Sequence, residues 1–221
     1  MIDQLIIGAK SSYDDFEASV KERKDNPPKK KKVKDTVPFS NETYDFSGIN
    51  GEVYWEERSL EYIFEILATS PEELEEKKQL FVSWVMNVVS EELHDPYVLN
   101  YHYLATFDDI SVDDSEVEKS TITVTFTAYP YKIANDKKTF TFTLTEEETT
   151  AFIRNDSSHR ITPTFKSEVP FTMRMDNRTY SVPAGETTSS TVWLAPDVNK
   201  VFLQSTQGSG TLKIEFSEEV F

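Results

Sequence analysis

From Val53 to Ile66 the polar side chains Glu57, Ser59, Glu61 and Glu65 share one parity, and Arg58, Leu60, Tyr62, Phe64 and Ile66 share the other. A period of two is that of a half-buried strand. Arg58 is the one charge on the inner face, and its position near the start of the strand suits a structural salt bridge. After Ser70 the period changes. Ser70 offers a capping hydroxyl, Pro71 suits the first helical position, and Glu73 stands three residues after the cap, so several helix-start signals coincide. Leu74, Phe81, Trp84, Val85, Val88 and Val89 then follow at helical spacing, with Glu72, Glu73, Glu75, Glu76, Lys77 and Gln79 on the remaining positions. This predicts a single amphipathic helix over about 71–90, whose apolar stripe covers a sheet. Tyr101 to Phe107 predicts another strand, Asp108 to Glu118 an acidic hairpin turn, and Ser120 to Tyr129 a strand that stops at Pro130.

Asn135 to Lys138 interrupts the pattern, and a domain boundary is expected there. Beyond it the chain reads as short strands separated by turn residues: Phe140 to Leu144, Ile161 to Phe165, Phe171 to Met175, Tyr180 to Val182, Thr191 to Leu194, Lys200 to Leu203 and Thr211 to Phe216. Breaks fall at Pro183-Ala184-Gly185 and Gln207 to Gly210. Short strands at this spacing form an antiparallel sandwich. A length of 221 residues suits two domains of ordinary size. The expected fold class is therefore mainly β with one α-helix: a first domain over 1–134 and a second over 135–221, both antiparallel and sandwich-like.

Residues 24–36 depart from all of this. Pro27-Pro28 precedes Lys29, Lys30, Lys31 and Lys32, with Val33 and Lys34 after them. Tandem prolines favour an extended backbone and clustered lysines repel one another in a helix, so an exposed arm is the economical reading. The charge is segregated. Residues 21–34 hold eight basic and two acidic side chains, whereas residues 35–133 hold five against twenty-one. That contrast suits contact between identical subunits, and it equally suits a solvated charge run. The net charge of −16 argues against binding a phosphate backbone.

The inventory of reactive groups is thin. His94 and His102 are neither three nor four residues apart, His159 is distant, and each reads as a surface or structural histidine rather than a metal ligand. Gly208-Ser209-Gly210 lacks the spacing of a nucleophile elbow, and Glu56 with Glu57 would point to opposite faces of a strand. No catalytic, cofactor-binding or metal-ligating residue is assigned. Pro28 to Val33 matches a nuclear-import signal only as any lysine run does. There is no cysteine, compatible with a reducing cytoplasm. Met1 to Gln4 does not read as a secretion signal, and no stretch approaches the roughly twenty apolar residues of a membrane span.

The order of Pro38, the strand-like Tyr44-Asp45-Phe46, and then Tyr54, Arg58, Leu60, Tyr62 and Phe64 resembles the start of the distal tail proteins (Dit) of siphophages, as found in phages and prophages of Gram-positive bacteria. The likeness extends through the helix to Ile122–Lys132, about three-fifths of the chain. The resemblance implies a non-enzymatic virion protein, made in the bacterial cytoplasm, of which six copies form a hub ring at the distal end of the tail. One face of such a ring meets the major tail tube protein and the other carries a tail-associated lysin or adhesion device; DNA only passes through the lumen, and no membrane or cofactor is involved. It also implies an arm that clasps the neighbouring subunit, and Lys29, Lys30, Lys31, Lys32 and Lys34 sit where that arm lies. The second domain resembles, more weakly, the galectin-like or carbohydrate-module-like domain of larger members. Tyr180 and Trp193 are the residues there that would stack on a sugar, against the alternative that both are core. A host-surface carbohydrate-binding module is thus the rival function.

Overall fold

Along residues 58–67 the alternation produces a strand with one face in the core: Arg58, Leu60, Tyr62, Phe64 and Ile66 are buried and the residues between them are not. The structure is a computed structural model that describes residues 3–36, 39, 41, 43–48, 53–114 and 116–221. The Val37-Pro38 turn and the first two residues lie outside these. Two compact units divide between Lys132 and Ile133, with Phe221 grouped in the first. The single helix among the described residues is neither long nor apolar enough to cross a membrane.

The first unit contains β1 (Ile6–Ile7), β2 (Lys10–Ser11), β3 (Ala18–Asn26), β4 (Lys34–Thr36), β5 (Thr43–Asp45), β6 (Arg58–Leu67), α1 (Pro71–Met86), β7 (Glu91–His94), β8 (Tyr101–Asp113) and β9 (Lys119–Ala128). Antiparallel pairing runs in the order β2, β1, β7, β8, β9, β6, β3. The ends of this sheet curl back together, so that the Val20 N–H donates to the Asp3 carbonyl at 2.8 Å. Register shifts at Val20/Glu22 and Phe107/Asp109 mark bulges that sharpen the curl. Leu74, Phe81 and Val85 of α1 close the core, with the Phe81 ring 4.9 Å from that of Phe64.

The helix starts as its sequence predicts. Ser70 Oγ accepts from the Glu73 N–H at 3.2 Å, while the Glu73 carboxylate reaches past the cap to accept from the Thr69 N–H at 2.8 Å. It ends four residues earlier than expected. Asn87 leaves helical geometry at φ −94°, ψ 7°; Val88 still reaches the core, but Val89 is exposed. Other expected boundaries also move. Val53 to Glu57 precede β6 rather than belong to it. Asp108 to Asp113 extend β8 rather than form a turn, which shortens the acidic hairpin loop to the residues after Asp113.

The second unit holds β10 (Lys132–Leu144), β11 (Thr149–Asn155), β12 (Thr164–Ser167), β13 (Phe171–Met175), β14 (Arg178–Val182), β15 (Gly185–Thr188), β16 (Asp197–Ser205) and β17 (Gly210–Val220). Four-stranded sheets in the orders β15-β12-β17-β10 and β11-β16-β13-β14 share one core. Phe165, Leu212, Ile214 and Phe216 come from the first, and Ile153, Phe171, Met173, Val201 and Leu203 from the second. This is a sandwich of two antiparallel sheets. Asn135 to Lys138 lie inside β10 and do not break it. Thr191 to Leu194 is not a strand; only Leu194 bridges, to Ile161. The edge strand is instead β15, which begins at Gly185 with φ +102°, a conformation glycine adopts without strain.

Candidate functional site

Pro27 and Pro28 have no N–H to give a neighbouring strand, so β3 stops at Asn26 and the chain leaves the sheet. From Lys29 onward the arm is a two-stranded ribbon rather than a lone extended segment. The Glu56 N–H donates to the Lys29 carbonyl and the Lys31 N–H to the Tyr54 carbonyl, both at 2.8 Å. Lys30 and Trp55 pair between them, and the Lys30 Nζ lies 5.8 Å from the centre of the Trp55 ring. Farther out the Phe46 N–H donates to the Val33 carbonyl, and β4 pairs with β5 from Lys34/Asp45 to Thr36/Thr43.

One strand of this ribbon is basic, and the other carries exposed aromatics together with the exposed carboxylates Asp45, Glu56 and Glu57. Lys29, Lys30, Lys31, Lys32 and Lys34 are all exposed, and none has an ion-pair partner among the described residues. Across from them Tyr44, Phe46, Val53 and Tyr54 are exposed too. Hydrogen bonds from Ser47, with Lys34 and Lys32 nearby, hold the Asp45 carboxyl below the ordinary carboxylate range. A two-stranded ribbon is marginal in water, and here exposed aromatics adjoin its charged side chains. The sequence reveals the basic half. It does not reveal the second half, because residues 43–56 carry no pattern that names their partner.

Tyr180 and Trp193 are both half-buried, Tyr180 packing against the second unit's core, and they line one cleft of about 200 Å³ with Met175, Asp176, Asn177 and Arg178. Tyr180 lies on the edge strand β14, and Trp193 on the loop pinned by the Ile161–Leu194 bridge. The Arg160 guanidinium sits 5.2 Å from the indole centre, covering one ring face. Tyr180 also borders a second cleft of about 280 Å³, lined by Thr179, Ser181, Thr187, Ser189 and Thr191 together with Phe165, Val182 and Val192. Flat aromatic faces beside fixed donors and acceptors suit a polyhydroxylated ligand.

The histidines are also arranged in a way that spacing along the chain hides. His94 and His102 face each other across β7 and β8 with ring centres 5.2 Å apart, and Glu92 stands beside both. Eight residues of separation is meaningless on a helix; across a hairpin it is a direct contact.

In fold comparison, the Dit protein of SPP1, described as a paradigm of the hub adsorption apparatus in phages infecting Gram-positive bacteria, matches with a TM-score of 0.70 at 15% identity over 98% of this chain and 99% of that one. A chain of the phage P2 baseplate in its activated conformation with Ca gives 0.44 at 10% identity, over 97% of this chain and 98% of that one. The corresponding structure with Sr gives 0.42 at 10% identity, over 98% of each chain. No protein-family model matches the chain, and no curated protein matches it in sequence. At such identities the likeness is one of fold: this chain has the fold of the SPP1 Dit protein.

Proposed function

We propose that the chain is a structural component of a phage tail, six copies of which close a hub ring between the distal end of the tail tube and the host-adsorption apparatus. The observation that carries this reading is the fold match to the SPP1 Dit protein, which extends over nearly all of both chains. The arm supplies a physical route to the ring. Its bare lysines and exposed aromatics complement the acidic remainder of a neighbouring first unit, and such a head-to-tail contact closes when its rotation closes. In this reading the major tail tube protein binds one face and a lysin or adhesion protein the other. An acidic lumen wall lets DNA slide by like-charge repulsion. The protein works in the virion, is made in the bacterial cytoplasm, touches no membrane and catalyses no reaction. The native mass of the full chain at low salt tests this reading, with six copies expected.

A second reading rests on the aromatic cleft. Tyr180 and Trp193 meet at one cleft among guanidinium, amide and carboxylate groups, which supports binding of a host-surface carbohydrate by the second unit. A galectin-like role for this sandwich belongs to the same reading. A glycan array probed with the full chain tests it.

A further inference from the structure

We propose that Glu92, His94 and His102 form a binding site for a divalent cation of the zinc class on the face of β7 and β8 opposite the first unit's core. The pairing of β7 with β8 creates the site. Glu92 opposes Leu104 and Leu93 opposes Tyr103, so the next pair in the register is His94 with His102. Side chains alternate across a strand, and Leu93 and Tyr103 are buried in the core. The two imidazoles and the Glu92 carboxylate therefore share the opposite face.

Their spacing fits an ion of this size. All three ligating atoms lie within 4.8 Å of one another. His94 Nε2 is 3.4 Å from one Glu92 oxygen, and His102 Nε2 is 3.9 Å from the other. Zinc bonds of about 2.0–2.1 Å put the ligands of a tetrahedral ion about 3.3 Å apart. The first distance is already there; the second, and the separation of the two imidazole nitrogens, which is at most 4.8 Å, close by turns of the exposed Glu92 and half-buried His94 side chains. The backbone beneath them is held firmly: β7 is bonded on both sides, by β1 and β8, and His102 is buried. Two imidazoles with one carboxylate favour zinc, nickel or copper, whereas calcium and magnesium take oxygen ligands. Three protein ligands leave a fourth position for water or for a side chain of another protein.

The test is isothermal titration of the chelator-treated, tag-free full chain with Zn²⁺ and separately with Ca²⁺, with metal content measured after dialysis. The expected result is saturable uptake of one zinc per chain, no matching calcium isotherm, and weakening by roughly tenfold or more in His94→Gln and in Glu92→Gln. Glu92→Gln alters an exposed side chain, so it keeps the test decisive should a histidine variant fold poorly. Absence of saturable zinc uptake, or uptake unchanged by Glu92→Gln and His94→Gln, overturns the proposal; equal affinity for calcium does so as well.

Discussion

The Arg58 guanidinium is held by the Asp25 carboxylate, its Nη1 lying 3.1 and 3.2 Å from the two oxygens. The Arg58 side chain is only 1% exposed and that of Asp25 39%. Arg58 Nε also donates to the Pro130 carbonyl at 3.1 Å, and the Tyr103 hydroxyl donates to Asp25 at 2.9 Å. Asp25 is the last residue but one of β3, so this cluster fixes the point at which the arm leaves the sheet.

Asp25→Ala is therefore expected to destabilise the first unit. Removing the partner of a fully buried charge costs about 3–5 kcal/mol. Water reaches Asp25, so the expected loss is about 2 kcal/mol. Tyr103→Phe removes one hydrogen bond and should cost about 1 kcal/mol. Burial, followed by the Asp25 charge, pushes the Tyr103 hydroxyl pKa up, so the tyrosine keeps donating at all ordinary pH. Urea denaturation of the three proteins measures these differences, and an Asp25→Ala midpoint equal to the parent's would contradict the role given to the pair.

Glu73 supplies a pH dependence. Hydrogen bonds from Lys77, then from Thr69, draw its carboxyl from the ordinary 4.5 down to about 2. A pKa lower in the folded state than in the unfolded state means stability that is complete above about pH 4.5 and lost as the pH falls towards 2. Glu73→Gln should thus be less stable than the parent at pH 7, with the gap narrowing through that window. Denaturation midpoints at pH 7, 4 and 3 check this. A gap that stays constant would show that Glu73 acts by packing or propensity and not by charge.

Trp193→Ala tests the aromatic cleft. If the second unit holds a sugar against Trp193, the substitution should weaken glycan binding by about two- to tenfold, since a lost stacking face is worth roughly 0.5–1.5 kcal/mol. The substitution lies in the second unit and should leave self-assembly unchanged. Tryptophan fluorescence titration with any glycan that the array returns reads the affinity, and a parent chain that binds no glycan ends this reading.

The parts of the fold legible in the sequence are those with one wet and one dry face. The strand from Arg58 announces itself because its inner residues must be apolar, and α1 announces its start through Ser70 and Pro71. Its end is not legible, since Val88 and Val89 continue the stripe after Asn87 has already left the helix. Asn135 to Lys138 mislead in the opposite direction. They look like a loop because their side chains are largely exposed, so this part of β10 leaves no hydrophobic pattern; Lys138 is fixed by Asp156 and Glu218 instead. The bareness of Lys29 to Lys34 is legible from charge. The pairing of this arm with Thr43 to Phe46 and with Tyr54 to Glu56 is not, and neither is the meeting of His94 with His102, because both depend on which backbones lie side by side. Tyr180 and Trp193 are visible as aromatics, and only the folded loop before β16 brings them to one cleft.

The central claim is a ring of six held through the basic arm. The most direct measurement is native mass spectrometry at low salt of the full chain beside a variant carrying Lys29→Glu, Lys30→Glu, Lys31→Glu and Lys32→Glu. Exposed charges contribute little to a core, so the variant should fold as the parent does. Four attractions to an acidic neighbour become four repulsions, so the parent should appear as six copies and the variant as one. Added salt should narrow the difference, because screening sets in within about 10 Å at 0.1 M. A parent that stays monomeric at tens of micromolar would contradict the ring, and a variant that assembles as well as the parent would contradict the arm's part in it.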